Sequence, residues 1–134
     1  MAAIPDYIRS LESYVERHGA RLVRTSLPEW VHGSASHDLI VLRPGLDPQQ
    51  ELTALVHELA HWLAHRGVGA PQPSTVYEYE AEAVEALVMA RLGLPRSGGQ
   101  DDDPTDDLLS ASVTRVIWAS SRICDALGVE FSKP

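Results

Sequence analysis

Asp47-Pro48-Gln49-Gln50-Glu51-Leu52-Thr53-Ala54-Leu55-Val56-His57-Glu58-Leu59-Ala60-His61-Trp62-Leu63-Ala64-His65 is the stretch on which the fold turns. It opens with helix-start signals. Asp47 is an N-cap residue, Pro48 suits the first helical position, and Gln50 is placed for a capping box. Gly67, opening a Gly/Pro-rich run to Pro73, supplies a stop. Between these limits Leu52, Leu55, Val56, Leu59 and Leu63 recur at helical spacing and predict one apolar stripe.

At about 100° per residue, His57 and His61 project from the opposite side, with Glu58 on the flank. His57-Glu58-Leu59-Ala60-His61 is an H-E-x-x-H sequence. On a helix, residues four apart stand one turn above each other, so two imidazoles can take adjacent positions on one Zn²⁺. Glu58 can then reach a metal-associated water as general base. The rest of the histidine side is small (Ala54, Ala64) apart from His65, which predicts a second element packed close, with a metal between. His65 extends the series to a third histidine. Three ligands on one straight helix cannot surround a single ion, so His65 reads as a helix-end residue favoured by the C-terminal dipole. The longer H-E-x-x-H-x-x-G-x-x-H pattern fails: Ala64 stands where its glycine belongs and Gly67 where its last histidine belongs. Trp62 reads as packing.

A catalytic zinc site needs a third protein ligand and one open position. The next helical segment, Tyr77 to Met89, carries Glu78, Glu80, Glu82 and Glu85. Glu78, Glu82 and Glu85 share one face, and Val76, Ala83, Val84, Leu87 and Ala90 form another. From the residues alone, each of those three glutamates is a candidate third ligand. Glu80 falls in the apolar face with no partner that the sequence can name.

HELAH followed by an E-x-E-A-E helix resembles the ImmA/IrrE-type zinc metallopeptidases and the related peptidase domain of ArdC-type antirestriction proteins. The resemblance runs from about Leu39, through Leu52-Thr53-Ala54-Leu55-Val56-His57-Glu58-Leu59-Ala60-His61, to Leu92-Gly93-Leu94. It implies a compact α+β zincin of the glutamate-ligand type. It implies His57 and His61 as zinc ligands, Glu58 as catalytic base and Glu78 as third ligand. Glu82, four residues on, would hold a ligand histidine by hydrogen bond. It also implies an intracellular protease acting on a narrow, regulatory protein substrate. A catalytically idle metal-binding module for protein partners and a non-peptidase zinc hydrolase are the alternatives. An intact Glu58 counts against the first, because binding alone needs no base.

At 134 residues and 44% hydrophobic content, the chain reads as one metallopeptidase domain spanning residues 1–134. No apolar run approaches the roughly 20 residues of a membrane span. Met1-Ala2-Ala3-Ile4-Pro5-Asp6 lacks the basic and apolar regions of a signal peptide. The single cysteine, Cys124, excludes an internal disulfide, fits a cytoplasmic setting and reads as a small core residue. Zinc must then be held by nitrogen and oxygen ligands. A net charge of −8 and the absence of any Lys/Arg run argue against nucleic-acid binding. The separate single-strand-binding domain of ArdC-type proteins has no counterpart here. The expected partner is a protein or peptide substrate; the oligomeric state stays open.

The remaining chain is simply organised. Asp6 to His18 has helical periodicity (Tyr7, Leu11, Tyr14, Val15) and stops at Gly19. Residues 20–26 read as a strand, Trp30-Val31 as a short one, and Asp38 to Leu42 as a buried one before Pro44-Gly45. A segment near residues 37–43 is the expected substrate-binding strand of the cleft. Arg96 to Pro104, with the triplet Asp101-Asp102-Asp103, reads as a polar loop capping the next helix and lacks a calcium loop's glycine and glutamate. A last helix is expected over Thr105 to Leu127, with Leu109, Val113, Val116, Ile117, Ile123 and Leu127 in one stripe and Gly128 as its stop. His37, Tyr77 and Tyr79 are oxyanion-stabilising candidates by residue type, and none is assigned.

Overall fold

The computed structural model describes residues 3–28, 31–65, 74–95 and 112–131. Helix α2 (Pro48–Ala64) forms where its capping residues place it. Asp47 Oδ1 accepts the Gln50 amide at 2.8 Å, and Gln50 Oε1 accepts the Asp47 amide at 3.1 Å. The helix closes at His65, whose amide donates to the His61 carbonyl at 2.9 Å. The expected stop at Gly67 lies outside the described residues. Leu52, Leu55, Val56 and Leu59 are fully buried, and Leu63 is half-buried. Trp62 is buried as packing, and its Nε1 donates to the His37 carbonyl at 2.9 Å, tying α2 to the sheet.

Three short strands form that sheet: β1 (Arg21–Arg24), β2 (Gly33–Ala35) and β3 (Leu39–Leu42), in the order β1-β3-β2. β3 pairs parallel to β1, Leu22 opposite Ile40, and antiparallel to β2, Ser34 opposite Val41. The short strand expected at Trp30-Val31 is corrected: Trp30 lies outside the described residues, Val31 is in no strand, and the strand is Gly33–Ala35. The expectation for residues 37–43 is corrected too. β3 is the central strand with ladders on both sides, so its backbone has no free edge for a peptide. Among the described residues, the outer side of β2 pairs with no other strand.

Helix α1 (Ile4–Arg17) starts two residues before the expected Asp6, because Pro5 sits in the first turn and Asp6 accepts the Ala3 amide at 3.0 Å. Its Ile8, Leu11 and Val15 enter the core. Arg24 on β1 ion-pairs with Glu12 of α1 at 3.7 Å and with Glu51 of α2, joining three elements at the surface. Helix α3 (Ser74–Arg91) lies across α2 and buries Val76, Ala81, Val84, Val88 and Met89. Leu87 and Ala90, expected in that apolar face, point outward instead, Leu87 at 39% exposure. The inner face is shifted because α3 packs against both α2 and the last helix, and it takes in Glu80 and Glu85.

Helix α4 (Val113–Leu127) covers that second side. Ser112 caps it, its side chain accepting the Arg115 amide at 3.2 Å, so the helix described here starts at Val113 and not at Thr105. Residues 105–111, with Leu109, and the Asp101–Asp103 loop lie outside the described residues. Val116, Ile123 and Leu127 are buried as expected, whereas Val113 and Ile117 are exposed. Gly128 ends the helix in the left-handed conformation, φ 78°. Cys124 is buried, and burial pushes its thiol up to about 11. The architecture is α+β: one sheet, and helices that share a core centred on α2.

Trp62→Phe keeps the bulk and removes the bond to the His37 carbonyl. A cost of about 1 kcal/mol is expected, read as a lower urea midpoint with unchanged slope.

Candidate metal centre

The crossing of α2 and α3 brings together the residues that the sequence separates. His57 and His61 stand one turn apart on α2, ring centroids 5.0 Å apart, and Glu78 near the start of α3 reaches between them. Its Oε1 lies 2.6 Å from His57 Nε2, and its Oε2 lies 3.2 Å from His61 Nε2. One donor atom from each residue falls within 4.8 Å of the others. Among the described residues this is the one such group of His, Cys, Asp and Glu. Two imidazole nitrogens and a carboxylate oxygen, with no thiolate, are the donor set of an open zinc-type centre, and the residues fit one.

Behind this trio runs a buried polar layer. Glu85, not the expected Glu82, bonds the far side of His57, its Oε1 accepting from Nδ1 at 3.2 Å; Glu82 is exposed. The far side of His61 meets His65, Nδ1 to Nδ1 at 2.9 Å. His65 is the C-cap residue that the sequence predicts and also far more. Its Nε2 donates to Glu80 Oε1 at 2.8 Å, and the Tyr77 ring stacks on it with centroids 4.2 Å apart. Glu80, 1% exposed, accepts two bonds from Arg115 of α4, Nε at 2.9 Å and Nη2 at 2.8 Å, and the Ser112 amide at 2.6 Å. The partner that the sequence could not name is therefore on another helix. The signal was present: a carboxylate on an apolar face must find a cation.

The electrostatics follow from these contacts. Burial opposes charge on His57, but hydrogen bonds to Glu78 and Glu85 outweigh it and raise its pKa from 6.5 to about 10. Hydrogen bonds from His57 and His61 hold the Glu78 carboxyl well below the usual carboxylate range. Burial raises Glu58, opposed by the charges of His57 and His61, so its carboxylate is a stronger base than an exposed one. Burial also favours neutral His65. Glu80 stays ionised despite burial, because Arg115, the Ser112 amide and His65 all favour its charge.

Glu58 faces the edge strand. A Cβ on Gly33 would lie 2.8 Å from Glu58 Cγ and 3.1 Å from the Val41 carbonyl, so only glycine lets β2 approach this closely. Of the oxyanion candidates, Tyr77 has its ring stacked on His65, and His37 accepts the Trp62 indole through its backbone carbonyl.

With this geometry in place, sequence comparison supplies the family. The profile of the M78 peptidase, IrrE N-terminal-like domain matches residues 15–105, so the chain belongs to that family of metal-dependent peptidases. No curated protein and no solved structure matches it. The matched span takes in the sheet, α2 and α3 and ends before α4.

Two outcomes follow. Gly33→Ala destabilises the protein by about 1–3 kcal/mol, and Glu58→Ala in the same chain removes most of that cost in a double-mutant cycle of urea melts. In EDTA, the raised His57 pKa makes its ion-pair contribution complete below pH 6.5 and lost as pH rises towards about 10. The lowered Glu78 pKa makes its contribution present above pH 4.5 and lost in acid. The melting-temperature gap between wild type and Glu78→Gln is therefore widest from about pH 4.5 to 6.5 and closes at alkaline pH.

Proposed function

We propose that this chain is a zinc-dependent peptidase. His57 and His61 would hold the metal through Nε2 and Glu78 through its carboxylate, with Glu58 as general base. The observation that carries this reading is the convergence of His57, His61 and Glu78 within 4.8 Å, with Glu58 on the turn of α2 that carries both histidines. When bound, zinc supplies Lewis acidity that polarises the scissile carbonyl and makes water acidic enough to react near neutral pH. Glu58, made more basic by burial, takes the proton from the attacking water. It then passes that proton to the leaving amine as the peptide C–N bond breaks. Glu85 orients His57 for this arrangement by its bond to Nδ1.

The substrate is an extended protein or peptide segment lying along the outer side of β2, where backbone pairing brings a scissile bond past Glu58. Membership of the family supports this substrate class, and the lone buried Cys124 suits a reducing interior. A narrow choice of protein target is part of the same reading, as the ImmA/IrrE resemblance implies. No helix among the described residues is long and apolar enough to cross a membrane.

Metal content by mass spectrometry on tag-free protein tests it. Near-stoichiometric zinc is expected in wild type and in Glu82→Ala, and loss in His57→Ala, His61→Ala and Glu78→Ala. Glu58→Gln keeps its zinc and loses roughly 10²- to 10⁴-fold in peptide turnover. Zinc without turnover in wild type would mark a binding module, and a wild type without zinc would end the reading.

A further inference from the structure

We propose that Arg115 is a positioning residue of the metal centre: through Glu80 and His65 it fixes the His61 tautomer whose Nε2 is free for a metal. The inference rests on the metal reading above and adds a helix to it. Arg115 sits on α4, beyond residue 105, where the family match ends.

Glu80 is 1% exposed and gripped by Arg115 through Nε and Nη2, at 2.9 and 2.8 Å. An ionised carboxylate only accepts, so the 2.8 Å contact to His65 Nε2 requires the hydrogen on that nitrogen. In a neutral imidazole this leaves His65 Nδ1 with a lone pair and no hydrogen. His61 Nδ1, 2.9 Å away, must then supply the hydrogen of their contact. With a hydrogen held on Nδ1, His61 uses its Nε2 hydrogen for the 3.2 Å bond to the Glu78 carboxylate, and a metal between the two would take the place of that hydrogen. Reversing either step would strip the hydrogen from Nδ1 and leave neutral His61 with its one hydrogen on Nε2, the nitrogen that has to bind the metal. The His65 side chain is 8% exposed and stacked under Tyr77, so water does not interrupt the relay. His57 needs no relay because Glu85 faces its Nδ1 directly.

The test uses the full chain and zinc alone. Zinc is titrated against a chromophoric chelator, and histidine ¹⁵N shifts are recorded on the loaded protein. Wild type is expected to show His65 with hydrogen on Nε2 and none on Nδ1. Arg115→Met and His65→Phe are expected to bind zinc roughly 10- to 100-fold more weakly. Arg122→Met is the control, since Arg122 lies on the same helix over the Trp118 ring at 5.4 Å, and it should bind as wild type does. Wild-type affinity in Arg115→Met overturns the proposal. So does a hydrogen on His65 Nδ1 in wild type, a result that needs no variant to fold. A wild type that binds zinc, loses it in His61→Ala and is indifferent to Arg115→Met refutes the relay alone. A wild type that binds none refutes the metal reading, and the relay with it.

Discussion

The buried carboxylate of Glu80 is the constraint around which the helices are arranged. It sits on α3, takes a hydrogen bond from His65 at the end of α2, and is clamped by Arg115 and the Ser112 amide at the start of α4. A charge at 1% exposure is costly unless every lone pair is used. The end of α2, the second turn of α3 and the start of α4 therefore meet at one point. Hydrophobic burial holds the same helices together, and the polar contacts add direction to it. The ion-pair cluster adds directional contacts, and the trio of His57, His61 and Glu78 lies one residue contact away from it, through His65.

Helix α2 serves two demands that compete for its surface. One side must be apolar to fill the core, and the other must present His57 and His61 to α3. Buried Ala54 and Ala64 resolve the conflict by letting α3 come close enough for Glu78 to reach both rings. That closeness desolvates the site, and desolvation sets its chemistry. It makes Glu58 a better base and holds His65 neutral, while the opposed charges of His57 and Glu78 stabilise each other. The edge strand completes the enclosure, since β2 can approach Glu58 only through a residue without a side chain.

Helix α2 and what it carries are legible in the residues alone. Its caps are local, its apolar stripe is periodic, and the spacing of His57, Glu58 and His61 places them on the side away from that stripe whatever the rest of the chain does. The resemblance singled out Glu78, which the acidity of α3 alone could not separate from Glu82 or Glu85. Tertiary structure decided everything that depends on distant segments. Glu85 rather than Glu82 backs His57, because packing of α3 against both α2 and α4 sets which of its residues face inward. β2 rather than β3 forms the edge, because pairing order is a property of the sheet and no strand's own residues specify it. His65 became a link in the site, and Glu80 found Arg115, a residue 35 positions along the chain. Such contacts have no periodic signature: they exist only once the packed core has brought the helices together.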